Sequence, residues 1–523
     1  MSQPAPTGSR RSGGRAARHA LRAAPLADAI KPVKMGMPSG RYQPLSQSEI
    51  EQIHDAVLDV LENIGLSLAT PGCIKHCTSV GAIYGDDERL RFPRALVKQV
   101  IADANRDFVL CGRDPKHDIH PMGSKVHFGT AGAAVHVVDV EKNEYRESYL
   151  KDIYDAARIV DVQDNIHFFQ RPMVARDMET SLDLDINTLY ACFAGTKKHI
   201  GTSISFPENI EPVIDMIYKV AGGEEAFRAR PFVSMSCCFV VPPLRFAEDA
   251  CDVLEGCVQA GIPVLLLSAG QAGATSPAAI AGSVVQAMAE VLAGLVYVHA
   301  ISPGHPAIFG AWPFVSDLRT GAMSGGSGEQ SLLSAACGQM ALYYDLPNGA
   351  PAGMSDAKMP DIQSGYEKGI TTVMAGLSGS NLIYEAAGMH GSLMGFCLES
   401  LIVDNDILGQ VLRCIRGIEV NQETLSVETM RNICTEGPVH YLGHQQTLSL
   451  MESEYLYPVL GNRMSPKEWV EAKKPDIVNL AIKEKQRILG EYFPEYISPE
   501  LDEELRENFK ICLSQNDMRP GEK

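Results

Sequence analysis

The chain has 523 residues, 45% hydrophobic and 21% charged, with a formal net charge of −18. This is the balance of a globular protein with a sizeable core, and it excludes a disordered or fibrous chain. The acidic excess argues against nucleic acid or an anionic membrane surface as partner, since such binders carry a basic footprint. It fits a soluble, cytoplasmic enzyme.

Residues 1–44 read as a disordered basic tail. Arg10, Arg11, Arg15, Arg18 and Arg22 sit among Ser, Gly, Ala and Pro with no apolar stretch of the kind a secretory signal needs. From 45 a helical cap segment is expected to run to about 125. Ser46 and Glu49 have capping-box spacing, and Ile50, Ile53, Val57, Val60, Leu61 and Ile64 recur at helical spacing before Gly65. Pro93 opens a further short helix.

A βα rhythm follows. Runs rich in Val, Ile and Phe occur at 127–138, 166–173, 199–204, 232–239, 263–267, 307–312, 349–353 and 382–385. Amphipathic stretches separate them at 150–160, 182–194, 210–221, 247–260, 277–299, 329–344 and 366–377, with a last one at 402–416. Eight strands alternating with eight helices predict an α/β chain, a (β/α)8 TIM barrel over 126–420 with parallel pairing. An open doubly wound sheet is the alternative, and no dinucleotide fingerprint supports it. The apolar run 284–301 is broken by Gln286, Glu290 and His299 and reads as a buried helix. Residues 421–523 are more polar and read as a C-terminal helical extension.

The 13 cysteines are odd in number and scattered through apolar stretches, which fits a reducing compartment. Cys73 and Cys77 have no second pair at metal spacing.

In such a barrel the site lies where strands end. Those ends supply Gln170 and Arg171, Ser234 and Ser236, a loop containing Gln271, Trp312 and Phe314, the segment Ser355–Lys358 with Asp356, and Glu385 followed by His390. Trp312, Phe314 and Tyr343 are candidates for an aromatic surface that binds a quaternary ammonium head by cation–π contact. Trp312 also reads as a large core residue, and Tyr343 and Tyr344 as helix packing. Gly325-Gly326-Ser327-Gly328 lacks P-loop spacing and reads as a loop. A metal site on Asp356, Glu385 and His390 has weak spacing, so no metal is expected.

Two stretches carry a resemblance. Gly349–Lys368 (GAPAGMSDAKMPDIQSGYEK) and Leu382–Gly391 (LIYEAAGMHG) resemble the trimethylamine methyltransferase family, and the likeness extends over about 45–515. It implies a (β/α)8 barrel that passes a methyl group to a cobalamin carried by a separate corrinoid protein, with no cofactor bound tightly to the barrel itself. Founding members act on trimethylamine and carry pyrrolysine near the segment matching Ser355–Pro360. Ordinary residues fill that segment here, which points to a quaternary amine, glycine betaine above all. A quaternary nitrogen leaves as a neutral amine and needs no acid.

Asp356 and Glu385 are the catalytic candidates. Trp312, Phe314, Gln271 and Tyr343 would line the pocket, with Arg171 and His390 as partners for a substrate carboxylate. Proline betaine, carnitine, choline and trimethylamine remain alternative substrates. A metal-dependent lyase and a non-catalytic betaine-binding protein are the alternatives of other classes. A homo-oligomer is the base expectation.

Overall fold

The computed structural model describes residues 30–437 and 440–518. The Arg-rich part of the tail therefore lies outside the described residues. The chain divides into two compact units, Met1–Lys34 with Ile418–Tyr457, and Met35–Gly417 with Pro458–Lys523.

The larger unit is built on eight short parallel strands: β1 (Lys125–Phe128), β2 (Phe168–Gln170), β3 (His199–Thr202), β4 (Val233–Cys237), β5 (Val264–Ser268), β6 (Ala307–Ala311), β7 (Gly349–Pro351) and β8 (Leu382–Tyr384). Between them and after β8 come α1 (Leu150–Asp161), α2 (Ser181–Gly195), α3 (Ile210–Ala221), α4 (Glu248–Gln259), α5 (Ile280–Ile301), α6 (Gly328–Tyr343), α7 (Ile362–Ser378) and α8 (Leu398–Arg416).

Strands β2 to β6 pair in chain order, all parallel. Strand β7 pairs with β8, and β8 with β1, where Leu382 faces His127. Single parallel bridges link Gly129 to Phe168 and Phe309 to Asn348. The His167 N–H donates to the Phe128 carbonyl at 2.6 Å, and the Phe309 N–H to the Pro347 carbonyl at 2.8 Å.

The first expected run is in fact two elements. Strand β1 stops at Phe128, and His136–Asp139 pairs instead with Glu144–Glu147 in a hairpin that also takes in Gly395–Phe396 and Met389–His390. This small sheet joins the loops that follow β1 and β8. Order also begins before residue 45. Met37–Pro38 pairs antiparallel with Val126 and Lys125 of β1.

The Ser46–Glu49 capping box is present. Helices Gln47–Asp59, Pro71–Ser79 and Arg94–Asp103 pack on α5. That explains α5. It is long and apolar enough to cross a membrane, yet its apolar surface is taken up by β-strands on one side and these helices on the other. Its Glu290 accepts from the Leu244 N–H at 2.8 Å and from Ser268 Oγ at 2.5 Å.

Helix Ile477–Glu491 packs on α8 and α1. The buried Arg158 of α1 donates to the Leu489 carbonyl at 3.0 Å and to the Tyr492 carbonyl at 2.8 Å, tying the chain's end to the strand–helix core. In the smaller unit, short helices Val427–Arg431 and Gln445–Leu450 leave Ile418, Val420, Leu442 and Tyr455 exposed. All thirteen cysteines are free thiols.

Candidate active site at the strand ends

Parallel strands with alternating side chains put every second residue on the same face. On that face Phe168 of β2, Tyr384 of β8 and Trp312, just after β6, come together. The Tyr384 ring lies 4.9 Å from Phe168 and 5.0 Å from Trp312 between centroids. Three strands far apart in sequence thus build one aromatic wall. Small residues make room for it: a Cβ on Gly129 would lie 2.2 Å from the Phe168 ring, and one on Gly349 2.6 Å from Tyr384. Trp312 is fixed at both ends, its Nε1–H donating to the Gly349 carbonyl at 3.0 Å and its backbone N–H to Ser268 at 2.9 Å.

A polar pair crosses the same level. Gln170 Nε2 donates to Ser236 Oγ at 2.9 Å, and Thr130 Oγ1 donates to the Gln170 carbonyl at 2.7 Å. Phe314 is buried two residues after Trp312 and pairs with Gln271 in a two-residue parallel ladder, which locks the loops after β5 and β6 together. Gln271 Oε1 accepts from Ser316 Oγ at 3.1 Å.

Glu385 directly follows Tyr384 in the left-handed region, at φ +62°. It is 2% exposed, its Oε2 has no hydrogen-bond partner, and burial pushes its carboxyl up to about 8. It is therefore mostly protonated at neutral pH.

Asp356 lies at the same end but is occupied. Its carboxylate accepts from the Gly325 N–H at 2.8 Å, Ser324 Oγ at 2.8 Å and Ser392 Oγ at 2.7 Å, so it ties together the loops after β6, β7 and β8. The Gly325 N–H is consequently not free for a phosphate, and Ser327 caps α6. Trp312 and Ser355–Lys358 share this end of the molecule, because the loop carrying Ser324 bridges them. Ser355 Oγ donates to Glu367 Oε2 at 2.7 Å.

Other candidates fall elsewhere. Tyr343 is the last residue of α6, next to His54 at 5.7 Å, with Tyr344 bonded to that histidine. Helix α6 runs antiparallel to the strands. Its C-terminus sits at their N-terminal ends, roughly 24 Å of helix away from the site. Tyr343 therefore stands away from the strand ends that carry Trp312 and Glu385. His390 is buried, with Nε2 2.7 Å from Ser400 Oγ, and burial holds it well below its ordinary value. A neutral imidazole is not the cation a carboxylate needs. Arg171 remains charged. It donates to Ser203 Oγ at 2.8 Å, Asp185 of α2 is its nearest opposite charge, and its buried Nε–H has no partner. No group of three or more His, Cys, Asp or Glu among the described residues could hold a metal ion, so Asp356, Glu385 and His390 do not form the cluster a metal-dependent lyase would use.

Tyr384 and Phe168 were the residues that strand-by-strand reading passed over, and it named Gln170 and Ser236 without pairing them. Their signal was inward alternation with β-strand period, legible only once each strand's register is known. His127 within β1 and His199 at the start of β3 are held neutral at about 4 by burial and bond to the Asn381 and Cys111 carbonyls.

A family model described as trimethylamine methyltransferase matches residues 11–511. The chain belongs to that family. Among its relatives, the trimethylamine methyltransferase MttB of Methanosarcina thermophila is 33% identical over 83% of this chain and 90% of its own length. The MttB of Desulfitobacterium hafniense DCB-2 is 30% identical over 88% and 92%. A glycine betaine methyltransferase of D. hafniense Y51 is 26% identical over 90% and 97%. Within the family, the Gly349–Lys368 stretch is the β7 segment and its loop, and Leu382–Gly391 is β8 with the Glu385 turn.

Proposed function

We propose that the chain transfers a methyl group from a quaternary amine, glycine betaine, to the Co(I) of a separate corrinoid protein, leaving dimethylglycine. The eight strands on this reading close into a (β/α)8 barrel. Supporting it are the parallel run from β2 to β6 and the parallel run β7–β8–β1, with the single Gly129–Phe168 and Phe309–Asn348 bridges between the two runs.

One observation carries the functional reading. Glu385, unpartnered, directly follows Tyr384 of the Phe168–Tyr384–Trp312 wall, in a family member whose sequence has ordinary residues at Ser355–Pro360. Aromatic faces attract an onium head, by about 2 kcal/mol for a desolvated contact. Glu385 supplies a negative charge when ionised. Phe314 and Gln271 complete the wall of the pocket, and Asp356 positions the loops around it. The chain's own work is to bind the onium, aim one methyl at the open end and keep water out. Such orientation is worth roughly 7–11 kcal/mol in favourable cases. The nitrogen keeps the C–N bonding pair and leaves as a neutral amine, so no residue has to protonate it. The corrinoid is the second substrate, brought by its own protein, and the exchange takes place in a reducing, cytoplasmic setting that suits the free thiols.

A second reading has an observation of its own. Arg171 already donates to Ser203 Oγ with the Asp185 charge to balance its own, and His390 is neutral, so neither is given over to a substrate carboxylate. That favours an onium without a carboxylate, such as choline. A panel of glycine betaine, proline betaine, carnitine, choline and trimethylamine with free cob(I)alamin decides between them. Loss of the cob(I)alamin spectrum with one equivalent of demethylated amine is expected for a quaternary member. Conversion with none would overturn the assignment, and tight betaine binding without turnover would make the protein a sensor.

A further inference from the structure

Buried carboxyl groups normally find partners, and each exception calls for a cause. Here the neighbouring carboxyls all comply. Asp404 takes Lys368 at 2.6 Å and the Gly388 N–H at 2.7 Å. Glu367 takes Ser355 Oγ, the Asp356 N–H and Gln363. Glu290 takes Leu244, Ser268 and Gln286. Glu385 alone of these accepts nothing from the described residues. It also occupies a strained left-handed backbone position, of the sort that persists where function over-determines it.

We propose that Glu385 is a proton-exchanging counter-ion: it is a neutral acid before substrate binds, and it releases its proton to solvent as the quaternary ammonium head settles beside it. The inference rests on the onium-binding reading above. The balance is one for one. The acid and the incoming cation become a carboxylate–ammonium pair plus one solvent proton, so the pocket stays neutral before and after. When the C–N bond breaks and its electron pair stays on nitrogen, the carboxylate loses its partner and takes a proton back.

The surrounding charges leave no other explanation for the proton. Asp356 of the β7 loop and Glu367 of α7 are held by hydrogen bonds. From α7 and α8, Lys368 spends its charge on Asp404. His390, beyond the turn, is neutral, as are His127 on β1 and His167 ahead of β2. Tyr384 keeps its proton far above neutrality. Burial is the sole cause of the upward shift at Glu385, so a cation placed beside it would reverse most of that shift. As a general acid the residue would be idle, because a quaternary amine needs no proton to leave.

The test is calorimetry of the whole protein with tetramethylammonium chloride and with glycine betaine, in buffers of different protonation enthalpy. Release of one proton per cation is expected near about pH 6, fading above the residue's value of about 8. The dissociation constant should fall about tenfold per pH unit below that value and then level off. Infrared difference spectra on ligand addition should lose a protonated-carboxyl band and gain carboxylate bands. In Glu385→Gln both the band change and the proton release should vanish, and affinity should drop and become flat with pH. Saturable binding by the native protein with no proton released and a flat affinity would overturn the proposal while leaving methyl transfer standing. Failure of every quaternary amine both to bind and to be demethylated would remove the function and this inference together. Should Glu385→Gln not fold, proton release and the infrared bands of the native protein decide the matter alone.

Discussion

Glu385 ties a side chain's surroundings to a property of the whole protein. Its carboxyl stands at about 8 in the fold, against an ordinary 4.5. Between those values the folded chain keeps a proton that the unfolded chain has released. Stability from this group is therefore complete below about pH 4.5, declines as pH rises, and stops changing above about 8, with a slope of about 1.4 kcal/mol per pH unit. Glu385→Gln cannot ionise, so its thermal midpoint should fall less than the native one between about pH 6 and 8. Parallel curves from calorimetry at a series of pH values would contradict this. Residue types at the strand ends were readable directly, and Trp312, Phe314, Gln271 and Glu385 all stand at that end. Which of them had partners was not readable. Asp356 and Glu385 look alike in sequence, and only long-range contacts, with Gly325 and Ser392 for the first and nothing for the second, separate them.

At the scale of elements, the helices after β7 and β8 are joined by an ion pair. Lys368 of α7 and Asp404 of α8 meet at 2.6 Å with 3% and 2% of their side chains exposed. Asp404 also holds the Gly388 N–H in the turn after Glu385. Breaking such a pair on one side strands a buried charge, at a cost of about 3–5 kcal/mol. Lys368→Met should therefore lower the thermal midpoint sharply, and adding Asp404→Asn should recover most of the loss, since the amide oxygen still accepts from Gly388. A double variant no better than the single would show that the pair's charges are not what matters. The element order itself was legible. Helix α3 spans 210–221 as its periodicity predicts, and the strand runs lie within a few residues of β2 to β8. The first run misled because the apolar character of 127–138 continues across Gly129–Val135, where the chain leaves β1 for the hairpin.

Across the whole molecule, the N-terminal segment matters more than its composition suggests. Gly36 N–H bonds to Val126 at 3.0 Å, Ser39 N–H to Ser124 at 3.0 Å, and Tyr42 N–H to Leu377 at 3.0 Å. At about 1 kcal/mol each, these bonds and the buried Met37 hold the segment on β1 and α7 by a few kcal/mol. Deleting residues 1–44 should lower the thermal midpoint by several degrees, and an unchanged midpoint would show that the pairing contributes nothing. By itself the sequence determined the α/β class of fold and the count and order of the parallel strands and the helices between them. Periodicity, capping residues and glycines act over a few neighbours, so they survive in a linear reading. The aromatic wall of Phe168, Trp312 and Tyr384, the bond from Arg171 to Ser203, the distance of Tyr343 from the strand ends that carry Trp312 and the solitude of Glu385 were decided by tertiary structure. Each depends on register and burial between segments scores of residues apart, which no local pattern encodes.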